Sequence, residues 1–220
     1  MYKLLIFIAF IIQSHSTYCQ DIVEFGNNKS LGKYYNVRGV NFYTEQYGSG
    51  KPLLLIHGNG GSINSMAGII PYFSQQYKVI AVDSRAQGKT TDISDSLSFE
   101  MMADDEAALL DQMHIDSAYV IGWSDGGIIA LLLAMRHPSK VIKFASTGAN
   151  IWPDSTAILP SLWKEEKKYY DDNQSKIWTT AKEKNDWKLF MLDWDQPNVL
   201  LSALHNIYCP SLIISGDHDL

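Results

Sequence analysis

Gly122-Trp123-Ser124-Asp125-Gly126-Gly127 decides the fold class, because of what flanks it. Ala118 to Ile121 before it is a short apolar run of the kind that makes a buried strand. Ile128 to Met135 after it is apolar all round, as in a helix packed against a sheet. A serine therefore sits on the bend between a strand and a helix. Such a reversal strains the middle residue and brings the residues two before and two after it almost into contact. Only glycine fits comfortably at both flanking places, and Gly122 and Gly126 occupy them. The bend holds the serine hydroxyl out at the carboxyl end of the strand. The amides that follow and the helix N-terminus face whatever negative charge develops there. A bare Gly-x-Ser-x-Gly also recurs as a glycine-rich turn carrying a chance serine, so the strand before it and the helix after it are what give it meaning.

The same alternation extends outward from the bend. Upstream, Val37 to Tyr47 alternates well enough for one or two strands, and Leu53 to Ile56 is a short apolar strand ending at His57-Gly58-Asn59-Gly60-Gly61. Ser62 to Gln76 reads as a helix, Lys78 to Asp83 as a strand, and Phe99 to Met113 as an amphipathic helix with Ala103, Ala107, Leu110 and Met113 along it. Downstream, Val141 to Ala145 is another apolar strand. Apolar strands alternating with helices predict an α/β fold, a mostly parallel sheet covered on both faces. The alternation fails after Gly148. From Trp152 to about Trp194 the chain is helical in pattern and rich in Trp, Tyr, Lys and Glu, which predicts an insertion over the carboxyl ends of the strands. A plain pair of amphipathic helices with an aromatic core fits the same residues. Pro197 to Asn206 reads as a returning helix, and Leu212 to Ser215 as a last strand leading into Gly216-Asp217-His218-Asp219.

Composition narrows the function. Lys3, the apolar run Leu4 to Ile12 and a polar stretch ending at Thr17-Tyr18-Cys19 have the layout of a secretory signal peptide, removed after residue 19. The apolar run is too short to span a bilayer as a helix, so no stable membrane insertion is expected after cleavage. The expected location is secreted or periplasmic. Residues 20–220 then form one domain, with the insertion at about 150–195. The mature chain keeps Cys209 alone, so packing rather than a disulfide holds it together. A net charge of −6 with no basic stripe argues against nucleic acid as a partner. Asn28-Lys29-Ser30 and Asn173-Gln174-Ser175 are triplets of the glycan-accepting type.

Three motifs fall at the carboxyl ends of separate strands. The glycine-rich turn at residues 57–61 lets backbone amides approach an oxyanion, and the amide of Asn59 together with that of Asp125 would form the hole. His57 is expected to hydrogen-bond its own loop rather than act as a general base. Asp219 is placed where a carboxylate orients a histidine, with Asp217 its rival by position, and a solvated turn is the bland reading of both. Asp125 invites a substrate-binding role as the partner of a cationic group such as an amine, against a plain role at the helix N-terminus.

These landmarks resemble the α/β-hydrolase superfamily over roughly residues 37 to 220. The strand with His57-Gly58, the segment Asp83-Ser84-Arg85-Ala86-Gln87-Gly88-Lys89-Thr90, the serine bend and Gly216-x-x-Asp219 occur in the family's order. The bend together with Asn150 and its surroundings is similar to the valacyclovirase, or biphenyl-hydrolase-like, branch. The resemblance implies a catalytic serine at Ser124, an acid at Asp219, small esters or amides as substrates, a small helical cap, and no cofactor or metal. Two departures stand out. Ala86 replaces a glycine usual in its segment. The family order is serine, acid, histidine, and no histidine follows Asp219. The sequence is therefore read as C-terminally truncated, lacking the last strand and helix, with Leu212 to Ile214 left as an exposed edge.

Two functions remain open on the sequence. One is a serine hydrolase, and the other is an inactive member that binds a small molecule in the same pocket. Serine at position 124 speaks against epoxide hydrolases and haloalkane dehalogenases of this fold, which carry aspartate there. A perhydrolase or a carbon–carbon bond hydrolase would use the same triad.

Overall fold

The computed structural model describes residues 24–216. The signal-peptide reading, Asp217, His218 and Asp219 lie outside them. Seven strands form one sheet in the order β1-β2-β4-β3-β5-β6-β7. β1 (Gly32–Val37) and β2 (Val40–Tyr47) make an antiparallel hairpin. Its turn is Arg38-Gly39, both at positive φ (48° and 85°), the conformation that matches the twist of paired strands. β3 (Lys51–Ile56), β4 (Tyr77–Val82), β5 (Ala118–Trp123), β6 (Val141–Thr147) and β7 (Ser211–Ile214) are mutually parallel. Leu53 to Ile56 are all 2 % exposed or less, which explains why that strand reads as a continuous apolar run rather than an alternating one.

The register brings the functional loops to one edge. Ile56 pairs with Gly122 and with Val82, and Trp123 pairs with Thr147. The chain thus leaves β3, β4, β5 and β6 at nearly the same height. α2 (Phe99–Gln112) and α3 (Asp125–Arg136) pack on one face of the sheet; residues 63–73 and their neighbours cover part of the other.

Two expected helices take another form. Over Ser62 to Gln76 the chain makes a 3-10 turn (Ile63–Met66) and a single α turn, α1 (Ile70–Phe73). Gly68 weakens a continuous helix here, and Pro71 removes an amide and crowds the turn before it. Pro197 to Asn206 likewise yields only a 3-10 helix at Leu201–Asn206. The hairpin also begins earlier than Val37, because polar Asn36 and Lys33 sit on an outward-facing edge strand that hydropathy does not flag.

Between β6 and β7 lie α4 (Pro160–Asn173) and α5 (Ala181–Asp195). Their aromatic residues pack on one another. Tyr170 stacks on Trp194 at 4.7 Å between ring centroids, Trp163 on Trp194 at 6.4 Å, and Trp187 on Phe190 at 5.2 Å. The aromatics are a core for the pair itself, since α4 buries none of its residues fully. At the other side of the sheet β7 is an edge strand among the described residues, with Leu212, Ile213 and Ile214 about half exposed. Beside it a hollow of about 250 Å³ is lined by Leu53, Tyr77, Tyr119, Ile121 and Leu212.

Candidate active site

Ser124 occupies the junction of β5 and α3 with φ 54° and ψ −120°. A non-glycine residue held there costs about 1–3 kcal/mol, and the surroundings hold it. Its amide donates to Thr147 O at 2.8 Å, and its carbonyl accepts from Gly127 at 2.7 Å and Ile128 at 3.1 Å. The flanking glycines are obligatory. A Cβ on Gly122 would lie 1.9 Å from Gly126 O, and one on Gly126 would lie 2.1 Å from Ile56 O. Gly58 passes close beside the serine, where an added Cβ would be 3.0 Å from Ser124 Cβ. Asn59 and Asp125 therefore follow two residues that touch. That brings their amides to adjacent strand exits, where the amide of Asp125 also reaches its own carboxyl.

His57 is used up structurally. Nδ1 lies 2.7 Å from Gly58 O and Nε2 accepts from the Ser84 amide at 3.1 Å, so the proton sits on Nδ1. Burial pushes its pKa down to about 4, against a smaller opposing effect of the Gly58 carbonyl. The imidazole is neutral and ties the β3 exit to the β4 exit. The other described histidines stand elsewhere. His137 ends α3, about 18 Å of helix away from the serine, and meets Asp104 at 2.8 Å. His114 follows the C-terminus of α2, and His205 precedes the N-terminal end of β7. No described histidine is placed to take a proton from Ser124.

The segment after β4 is a clamp. Asp83 accepts from the amides of Ile63 and Lys89, each at 2.7 Å, and a Cβ on Gly88 would collide with its carboxyl at 2.3 Å. Arg85, buried, holds Asp105 of α2 through Nε at 2.6 Å and Nη2 at 2.9 Å, and Asp92 through Nη1 at 3.1 Å. Ala86 has φ 64°, a left-handed conformation that costs a glycine little, so the departure seen in the sequence is a strained one. Its carbonyl accepts from Asn185 of α5 at 2.8 Å.

Asp125 does not simply cap its helix. It is 3 % exposed, and its carboxyl faces that of Asp193 on α5, with the Asn59 side chain against both. Burial pushes the Asp125 carboxyl up. Burial and the neighbouring Asp125 charge push Asp193 up further. Near neutral pH the pair holds one proton between them. Sequence reasoning missed Asp193 entirely. The available signal was the i, i+4, i+8 spacing of Asn185, Leu189 and Asp193, which puts all three on one side of α5.

The alpha/beta hydrolase fold family matches residues 51–177. The chain belongs to the α/β-hydrolases. Among curated relatives, 2-hydroxymuconate semialdehyde hydrolase of Pseudomonas sp. (strain CF600) is 30% identical over 142 residues, covering 62% of this chain and 50% of that one. Serine hydrolase BPHL of Mus musculus is 25% identical over 216 residues, covering 91% and 74%. The chain spans about half the length of several curated relatives it matches. Of the solved structures, the enol-lactonase from Burkholderia xenovorans LB400 superposes with a TM-score of 0.66 at 19% identity, over 84% of this chain and 82% of that one. A hydrolase from Pseudomonas aeruginosa PA01 gives 0.69 at 16%, over 86% and 81%. At such identities these structures bear on the fold, and the α/β-hydrolase sheet with its helices is the architecture described above. Among the described residues of this α/β-hydrolase, no helix is long and apolar enough to cross a membrane, and no group of three or more His, Cys, Asp or Glu side chains is arranged to hold a metal.

Proposed function

We propose that this α/β-hydrolase is a serine hydrolase that cleaves a small carboxylic ester or amide through an acyl-enzyme on Ser124. The observation that carries the reading is the backbone of Ser124, held at positive φ beside Gly58 with the amides of Asn59 and Asp125 following on either side. In this reading Ser124 Oγ attacks the acyl carbon and its proton passes to an imidazole. The two amides receive the oxyanion, and loss of one such donor costs about 3 kcal/mol of transition-state stabilisation. The leaving group departs with that proton, and water then cleaves the acyl-serine. Asp219 orients the imidazole, which must come from outside the described residues. The likeness to BPHL over most of the chain supports placement in the biphenyl-hydrolase-like branch. A non-catalytic, ligand-binding protein is the second reading, favoured by the lack of any described histidine near Ser124.

A fluorophosphonate probe separates them. Labelling of folded protein that carries the proposed imidazole, lost in Ser124→Ala, is the expected result. Folded protein that takes up no probe would favour the binder, because oxyanion donors alone leave serine a weak nucleophile.

Asp125 is proposed to receive a cationic group of the substrate. One proton shared with Asp193 leaves the pair a single negative charge, matched to one ammonium. The amino-acid ester is expected to be cleaved at least tenfold faster, in kcat/KM, than its N-acetylated counterpart. Equal rates would remove Asp125 from substrate recognition and leave it a purely structural acid.

A further inference from the structure

α4 and α5 have their own aromatic core, so their seating over the strand ends depends on what α5 makes with the loops beneath it. Those contacts follow one side of the helix. Asn185 Nδ2 donates to Ala86 O at 2.8 Å, Leu189 is 6 % exposed, and Asp193 meets Asp125. Asn59 adds a contact of an unusual kind. Its Nδ2 donates at 3.1 Å to the carbonyl of Leu189, one helical turn before Asp193, and the same amide lies against the carboxyl pair. The side chain of Asn59 thus holds α5, while its backbone amide is one of the two donors assigned to the oxyanion. Asp125 is bound in the same double way.

Two carboxylates have no hydrogen to offer each other, so the contact between Asp125 and Asp193 exists only while one proton stays with the pair. Oδ2 of Asp125 is buried and receives no hydrogen bond from an ordinary donor among the described residues, as expected where the missing donor is a protonated carboxyl. The charged and titratable groups facing the pair are acidic. Glu166 of α4 interacts with Asp193 and is itself pushed up by burial and by that charge, and Asn59 is the neutral donor.

We propose that Asp193, Asp125 and Asn59 form a proton-dependent latch that seats α5 on the two loops carrying the oxyanion amides. Asp193 is a positioning residue in this arrangement. It touches no reacting atom, and it sets how the helical pair lies over Ser124. The functional consequence rests on the serine-hydrolase reading, whereas the latch itself does not.

The sign follows from the pair's raised affinity for a proton. Seated, the pair keeps one proton well above the ordinary carboxylate range; with α5 displaced, both carboxyls ionise near their ordinary values. Seating is therefore strongest at low pH and weakens by up to about tenfold per pH unit between pH 7 and 9. It levels off once the seated pair has lost its proton.

Trypsin cleavage of the full chain at Lys188 on α5, normalised to an unstructured reference peptide, reports the displaced state. Lys188 is held by its Nζ donating to Ser94 O at 2.8 Å, so it becomes a substrate when α5 lifts. Normalised cleavage in the wild type is expected to rise with the slope just given. In Asp193→Asn the carboxamide donates to Asp125 with no proton to lose, and the profile should change less than twofold over the same range. Asp125→Asn, with the donor on the other partner, should flatten it equally. A flat wild-type profile would overturn the latch, and so would either folded variant retaining the wild-type slope. Because no substrate takes part, such a failure leaves the probe-labelling result at Ser124 untouched, and the reverse also holds.

Discussion

Gly126→Ala is expected to yield little or no folded protein. The added methyl would sit 2.1 Å from the carbonyl oxygen of Ile56, 2.6 Å from its carbon and 2.8 Å from His57 O. All three atoms belong to the backbone of β3 and its exit, which β4 and β5 clamp from both sides. Nothing there can turn away as a side-chain tip would. Overpacking of an ordinary core site costs about 1–3 kcal/mol; a rigid backbone collision exceeds that and consumes much of a total stability of about 5–15 kcal/mol. Gly60→Ala is the control. It meets nothing within 4 Å and carries only the penalty of φ 63°, about 1 kcal/mol. Soluble yield and thermal melting compare the two. A Gly126→Ala chain melting within a few degrees of Gly60→Ala would show that the serine bend does not press on β3 as described.

The second large effect is a stability difference that depends on pH. Glu106 lies in the middle of the buried stripe Phe99, Met102, Ala103, Leu109, Leu110 on α2, at 1 % exposure and with Oε2 unpartnered. Burial, with a smaller contribution from Asp105, pushes its carboxyl up to about 8, so the folded protein carries it protonated. In the unfolded chain it ionises near its ordinary value of about 4.3. Between these values the folded state binds the extra proton. Stability is greatest at the acid end of that window, falls as pH rises towards 8, and is level beyond. The total is about 4–5 kcal/mol from this one group. Glu106→Gln should remove that slope, making the variant the more stable protein at pH 8.5 and bringing the two together near pH 4. Urea unfolding at both values measures it. Parallel pH profiles would mean that Glu106 reaches water or a partner.

How much of this was readable beforehand depended on whether the signal was local. The serine bend was, since strand, glycines and helix lie within 20 residues of one another and each restates the same geometry. The parallel core was readable for the same reason, as Leu53 to Ile56 has no polar residue to confuse its burial. Glu106 was not. Its apolar neighbours mark the face it shares, yet composition assigns a glutamate to solvent, and only the packing of α2 onto the rest of the fold puts it inside. Residues 62–76 were read by hydropathy, which ignores that Gly68 and Pro71 interrupt the backbone. Glu45, buried and accepting from Gly26 and Asn28 amides and from the Tyr43 and Tyr47 hydroxyls, gave no warning either, because its donors come from two separate segments.

The sequence by itself determined the class of fold, the residue on the bend and the turn that lies beside it, since those follow from dihedral freedom and hydrophobic period along a continuous stretch. Tertiary structure alone decided the fate of the side chains around that residue. It committed both nitrogens of His57 to backbone partners, turned Asp125 towards a second acid, and brought Asn185, Leu189 and Asp193 down onto loops 60 to 130 residues away. Electrostatics between groups depends on their separation in space, and a chain's order does not encode that until it folds.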